Sequence, residues 1–474
     1  MHWIDQSVII FFLLSFSIYG IWQAKNNQTS KDYFLAGKNL PWPVAMFSIV
    51  ATETSVLTFI SVPGLAYRGD WFFLQLAFGY MIGRILVSVF LLPQYFEAGV
   101  VSIYEVIGFR FGELFQKIAS LIFLITRVLA DGVRFLATAV IVQVITGWPL
   151  FIAVLVIGAV TLIYTLSGGI KTVIWIDSIQ FILYLLGGLI SVAIALNYLE
   201  IPLFEIISNL SSSNKLKIFT FEGNLFYDPY FFLSAIIGGI FLSFSSHGID
   251  HMMVQRVLST KNIKSAKKAM IGSGIIVFLQ FTIFLFAGSL IYLVTNNMDI
   301  QKDREFTYFI VNFLPTGVKG LLLAGVLSAA MSTLSSSVNS LASSTITDWF
   351  KKKQSIKTSR IVSMAWGAIL ILIALVFNES NTAIIVVGLE IASFTYGALL
   401  GLFLLSKMKR NFLPISLIGG LLSSLIIVFG LKYMGFAWTV FIGIAASSNI
   451  FVALLIDKFC KIFYSKQANY NSNF

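Results

Sequence analysis

Charge, histidine and cysteine are scarce in this chain of 474 residues. The single cysteine, Cys460, excludes an internal disulfide framework. The three histidines, at positions 2, 247 and 251, are too few and too poorly placed for a catalytic metal site, and no enzyme constellation accompanies them. Charged residues make up 11% of the chain against 58% hydrophobic, with a mean hydropathy of +0.89. That is too little charge to cover the surface of a soluble protein of this length. No phosphate loop or nucleotide motif is present; GLAYRG at 64–69 and SGG at 167–169 read as glycine turns at helix ends. The N-terminal MHWIDQSVII lacks the basic segment and small-residue cleavage site of a secretory signal, so its apolar run reads as a retained first span.

What remains is apolar sequence in lengths that suit a bilayer, which takes roughly 20 residues per helical crossing. About thirteen spans are expected, near 5–23, 42–67, 72–93, 117–146, 149–166, 174–198, 228–247, 269–295, 317–347, 360–377, 383–405, 412–431 and 436–457. The net charge of +11 belongs to the loops and not to a nucleic-acid-binding face. Lysine and arginine crowd alternate loops, among them Lys25, Lys31, Arg110, Lys171, Arg256, Lys264, Lys351 and Lys407, while the other side is poor in them. This asymmetry places the N-terminus outside and the C-terminus in the cytoplasm. The two longest loops, 199–227 and 296–316, then lie outside, and the first is apolar enough to pack as a small lid.

Charged residues within spans are costly and need a partner or a task. Glu53, Arg84, Arg127, Asp131, Arg134, Asp177, Asp250 and Glu390 are in this position. Arg84 and Glu390 fall near span ends, where a side chain can snorkel to the interface. Arg127, Asp131 and Arg134 share one helical stripe. The stripe reads either as an ion pair fixing register or as a pair with one guanidinium left for a solute carboxylate. Asp177 follows a Gly-Gly turn, where it serves as a helix cap or as a cation ligand.

Hydroxyls mark the same regions. ATETSVLT at 51–58 is a polar patch inside an apolar span, followed by Pro63 and Gly64. A helix opening there offers carbonyls to a hard cation such as Na⁺, although a Ser/Thr-lined helix contact accounts for the same residues. Ser332, Thr333, Ser335, Ser336, Ser337 and Ser340 give the ninth span the same two readings. Ser243, Ser245, Ser246, His247 and Asp250, with Gly238, Gly239 and Gly248 around them, interrupt the seventh. His247 is there either a structural residue or a solute contact.

Five segments in order resemble the sodium/solute symporter family, which includes sodium-glucose, proline, pantothenate and sialic acid transporters. They are DYFLAGKNLPWP at 32–43, ATETSVLTFISVPGLAY at 51–67, YTLSGGIKTVIWIDSIQ at 164–180, DHMMVQRVLSTKN at 250–262 and LSAAMSTLSSSVNSLASS at 327–344. The resemblance, running from about residue 30 to 410, implies an all-α polytopic membrane protein with the leucine-transporter fold. Two inverted five-helix repeats are expected at 42–198 and 228–405. An extra span and cytoplasmic loop (1–41) precede them, the external loop 199–227 divides them, and two spans with a short cytoplasmic tail (406–474) follow.

The resemblance further implies a general sodium site made by the carbonyls of Ala51, Thr54 and Ala329 with the hydroxyls of Ser332 and Thr333. A second-sodium pattern is present as Asp177, Ser335 and Ser336. Ser55, Thr58, Phe73 and Arg127 match pocket positions of the sialic acid branch, with Gln75 nearby; Asp131 and His247 join them as candidate solute contacts peculiar to this sequence. Glu53 also departs from that branch, and the aromatic pair that precedes Asp250 in sugar transporters is missing. The implied function is sodium-coupled import of a small organic solute, carboxylate-bearing or zwitterionic, by alternating access. The protein is expected to work as a monomer in the lipid bilayer of the plasma or inner membrane. A non-transporting sensor with the same fold, and a proton-coupled symporter using Glu53 and Asp131, are the alternatives.

Overall fold

The structure of the chain, a computed structural model, describes residues 2–23, 29–54, 56–350, 355–376 and 384–471. It is built from helices, as a chain that must satisfy its backbone polar groups inside a bilayer requires. The principal helices are α1 (Trp3–Gln23), α2 (Trp42–Glu53), α3 (Val56–Arg68), α4 (Phe73–Leu86), α5 (Glu113–Thr146), α6 (Leu150–Leu199) and α7 (Phe232–Gly248). They continue with α8 (His251–Leu258), α9 (Ile263–Val294), α10 (Val318–Ser344), α11 (Ile356–Val376), α12 (Ile384–Ser406), α13 (Pro414–Tyr433) and α14 (Phe441–Asn471).

Eight helical stretches are long and apolar enough to cross a membrane as they stand. Two more crossings are bent pairs: α2 with α3 at 62°, and α7 with α8 at 61°. The fifty-residue α6 divides at Gly169, whose φ of 62° and ψ of −164° are not helical, into one more. Helix α5, with three charges at its middle, and α12 complete thirteen helical crossings among the described residues, the number expected. At Gly169 a side chain is excluded twice over: φ is positive, and a Cβ would lie 2.7 Å from the Tyr33 carbonyl oxygen.

Helix α10 is the axis of the bundle, buried around its whole circumference. Its N-terminus receives a carboxylate from another helix: Asp5 Oδ1 accepts from the amides of Gly317 (2.7 Å) and Gly320 (2.8 Å). Those amides have no intrahelical acceptor, and the positive end of the helix dipole favours the charge. Both long loops close over the end of α3. Arg68 Nε donates to Glu305 at 2.5 Å, and Lys215 Nζ donates to the Tyr67 carbonyl at 2.7 Å. Burial pushes the Glu305 carboxyl above the ordinary range, although the Arg68 guanidinium pulls it back.

Helices α4 and α7 meet backbone to backbone. A Cβ on Gly79 would sit 2.4 Å from the Ile236 carbonyl oxygen, on Gly83 2.6 Å from that of Ile240, and on Gly239 2.5 Å from that of Leu76. Small residues at this spacing let helices pack closely where no hydrophobic drive separates protein from lipid. Gly79→Val or Gly239→Val is therefore expected to lower stability by about 3 kcal/mol, the upper end for overpacking, since the clash is with main chain. Gly430→Ala, with open space around it, is expected to be silent. Thermal unfolding in detergent measures both.

Candidate functional site

The bend between α2 and α3 begins at Thr54, where φ of −87° and ψ of 79° end the helix. The amide and hydroxyl of Thr54 both donate to the Val50 carbonyl, at 2.8 and 2.5 Å. Carbonyls at such an end lose their intrahelical amide partners and remain free for another donor or a cation. The apposed stretch of α10 carries Ala329, Ser332 and Thr333, and Thr333 Oγ1 donates to the Ala329 carbonyl at 3.2 Å. The two helices touch where Thr52 Oγ1 and Ser336 Oγ lie 3.4 Å apart.

Asp177 stands two turns beyond the Gly169 break and does not cap a helix start, contrary to the cap reading of the sequence. Its carboxylate is fully buried and surrounded by donors: Ser332 Oγ at 2.6 Å, Ser48 Oγ at 2.8 Å and Arg256 Nη2 at 3.2 Å. Ser335 turns instead to the Ser332 carbonyl at 3.0 Å. Arg256, which charge counting assigns to a cytoplasmic loop, lies wholly inside the bundle. It donates from Nε to Ser48 at 2.9 Å and from Nη2 to Ser336 as well as to Asp177. The signal that could have found it is its place on α8, the inner arm of a broken span, seven residues from the break.

Four more charges form a second network. Arg127 is fully buried between two carboxylates, Asp250 at 2.9 Å and Asp131 at 3.3 Å, and donates to Tyr396 Oη at 2.7 Å. Asp131 also receives Ser337 and, at 3.4 Å, Arg134. Asp250 caps α8 by accepting from the Met252 amide at 3.0 Å. Arg84, expected to snorkel, is instead buried in α4, paired with Glu53 and donating to Ser273 Oγ at 2.6 Å. Glu390 meets Lys432 nearer the bundle edge.

Between these networks lies a cavity of about 60 Å³, room for a few water molecules. Thr58, Phe73, Arg127 and His247, four of the candidate solute contacts, line it together with Glu53, Tyr80, Arg134, Ser246, Phe281 and Tyr396. Asp131 does not reach the cavity; it lies behind the two guanidinium groups and sets their positions. Gln75 does not reach it either. Its amide donates to the carbonyls of Phe72 (3.2 Å) and Tyr230 (2.9 Å), tying α4 to the external segment. Ser55 lies outside the described residues. Nor is Arg127 the guanidinium left over, having two carboxylates and a phenol already. Arg134 is the freer one, with a single long carboxylate contact among the described residues, to Asp131, and a partly exposed side chain on the cavity wall.

Residues 33–413 match the Sodium:solute symporter family. The chain belongs to that family. It is 27% identical over 445 residues to sodium-coupled monocarboxylate transporter 1 of Mus musculus, covering 90% of this chain and 70% of that protein. To the sodium/sialic acid symporter of Proteus mirabilis (strain HI4320) it is 26% identical over 466 residues, 95% and 94% of the two chains. A Na⁺-coupled sialic acid symporter in a substrate-bound outward-open state superposes with a TM-score of 0.88 at 24% identity, over 96% of this chain and 98% of that one. A nucleobase-cation-symport-1 family transporter in a closed conformation gives 0.62 at 15% identity, over 93% and 95%. The fold is that of the leucine-transporter class, and the protein is a sodium-coupled solute symporter of the membrane, not an enzyme.

The buried Asp177–Arg256 pair of the symporter yields a direct test. Asp177→Asn strands a buried guanidinium and is expected to destabilise by about 3–5 kcal/mol. Pairing it with Arg256→Gln is expected to recover more than half of that loss, because neither charge then stands alone. A thermal-unfolding double-mutant cycle in detergent gives the coupling, and additive losses would remove the pair from this role.

Proposed function

We propose that the symporter imports a small carboxylate-bearing solute through the cavity bounded by α2, α5, α7 and α12. The observation that carries this reading is Arg134, a cavity guanidinium whose one carboxylate contact among the described residues is long and shared with Arg127. A planar fork with donors to spare suits a carboxylate in two-point contact. The monocarboxylate and sialic acid symporters to which this chain is similar take acids by name.

Sodium sits where α2 ends against α10, on the carbonyls of Ala51, Thr54 and Ala329 and the hydroxyls of Ser332 and Thr333. Neutral oxygens at a helix break suit an alkali cation. At Asp177, Ser335 and Ser336 the positive charge is already supplied by Arg256. A second sodium there requires Arg256 to leave, since two cations on one buried carboxylate are not compensated. The bent pairs α2–α3 and α7–α8 open the two inverted repeats, 42–198 and 228–405, whose rocking about the shared site gives alternating access. The N-terminus lies outside and the C-terminus inside the plasma or inner membrane, following the charge of the loops. Each copy holds a complete site, so the monomer is the working unit. Glu53 and Asp131 face fixed guanidinium groups, which favours sodium over protons as the coupled ion.

In proteoliposomes with an inward sodium gradient, Arg134→Gln is expected to raise the half-saturating concentration of carboxylate solutes by at least about tenfold. Transport of carboxamides as well as of the parent acids would sink the reading. Ser332→Ala and Thr333→Val are each expected to raise the half-activating sodium concentration by about tenfold; sodium titration of uptake checks this, and unchanged titrations would remove these hydroxyls from the site.

A further inference from the structure

The cavity has a second polar wall, chemically opposite to the one that Arg134 supplies. Glu53 ends α2 with its carboxylate on the cavity and 15% of its side chain exposed there. One oxygen, Oε2, takes both neighbouring contacts, Arg84 and, at 3.6 Å, His247 Nε2. The other has no hydrogen bond among the described residues. His247 Nδ1 is engaged by Ser246 Oγ at 2.8 Å, while its Nε2 is buried without a hydrogen-bond partner among the described residues. Arg84 is sealed from the cavity and anchored on Ser273, so its guanidinium fixes the Glu53 rotamer and does not itself reach a solute.

A plain carboxylate gains nothing from this wall. Its carboxylate goes to Arg134, and its carbon chain would lie against a desolvated carboxylate oxygen, leaving an ionised acceptor unpaired. We infer that Glu53, oriented by Arg84 and flanked by His247, reads a hydrogen-bond donor on the solute, so that the transported acid carries an ammonium or a hydroxyl besides its carboxylate. This rests on the reading of the cavity as a carboxylate site. It adds a specificity determinant from α2, the element whose next residue, Thr54, is assigned to sodium. Both donor types satisfy Glu53 geometrically; the ammonium also complements its charge.

The test is competition for sodium-driven uptake by wild-type symporter in proteoliposomes, using trios of acids matched in carbon skeleton. Each trio has a 2-amino, a 2-hydroxy and an unsubstituted member, as in alanine, lactate and propionate, and trios of increasing length cover the size range. In the trio that competes best, the unsubstituted acid is expected to be weaker than at least one donor-bearing partner by about tenfold or more, the cost of an unpaired charged acceptor. Equal competition by all three members overturns the assignment of Glu53 and leaves the carboxylate reading intact. The converse failure is separable: a carboxamide that keeps the amino group and competes as well as the amino acid overturns the carboxylate reading alone. A 2-amino preference is expected to fall about tenfold in Glu53→Gln, which keeps a carbonyl for Arg84 and loses the charge, while a 2-hydroxy preference falls less. An unchanged preference in a folded Glu53→Gln protein overturns the role of Glu53; because the wild-type trios need no variant, loss of folding in Glu53→Gln cannot rescue the idea.

Discussion

Charge balance inside an apolar bundle is the constraint from which the rest of the symporter follows. Arg84, Arg127, Arg134 and Arg256 lie in the interior, and Glu53, Asp131, Asp250 and Asp177 stand against them. An isolated ion in such a medium costs many kcal/mol, and even a pair is not strongly stabilising unless its remaining donors and acceptors are met. Small hydroxyls from one helix meet several of them. Ser332 and Ser336 face the Asp177–Arg256 pair, and Ser337 faces Asp131. Further along, Ser343 lies 3.2 Å from His251 Nε2, and Ser344 donates to the buried Asp348 at 2.6 Å. The serine run of α10 therefore packs closely, as the helix-contact reading has it, and at the same time supplies oxygens to protein polar groups on several sides.

The broken helices answer the same constraint. A continuous helix through an apolar core closes every backbone carbonyl and amide onto itself and has nothing to offer an ion. Ending α2 at Glu53 and α7 at Gly248 places helix termini beside the cavity, where dipole ends and uncommitted backbone groups are available. Asp250 uses the second break to cap α8 while holding Arg127, so one carboxylate fixes both the start of a helix and a guanidinium on the cavity wall.

Most of the architecture was legible in the sequence because spanning length and loop charge are strong, local signals. The thirteen crossings, a helix opening within 51–58 and the grouping of Thr58, Phe73 and His247 follow from run lengths, hydroxyl patches and family motifs. What was not legible depends on which helices face each other. Arg84 looks like a span-end residue until α2 brings Glu53 against it, and Arg256 looks like a loop cation until Asp177 arrives from α6. Helical spacing ties Arg127 to Asp131, but only the α5–α8 contact shows that Asp250 takes Arg127 as well, leaving Arg134 the freer of the two. Asp5, an ordinary acidic residue near the N-terminus, gained its role from a helix more than three hundred residues away.

Coupling of ion and solute requires that binding of each favour the same conformation, since a ligand that binds two states equally shifts neither. Here the requirement falls on a single turn of helix. Ala51 and Thr54, the proposed sodium ligands, flank Thr52, which touches α10, and Glu53, which faces the cavity and is clamped by Arg84 on α4. An ion that orders the end of α2 therefore also fixes the direction of the Glu53 carboxylate, and a solute that engages Glu53 holds the same turn in place for the ion. Because that turn ends at a break and not in the middle of a rigid rod, its ordering free energy is available to be shared between the two ligands. The polar wall of the proposed solute cavity and the proposed sodium site are in this sense one element read from two sides.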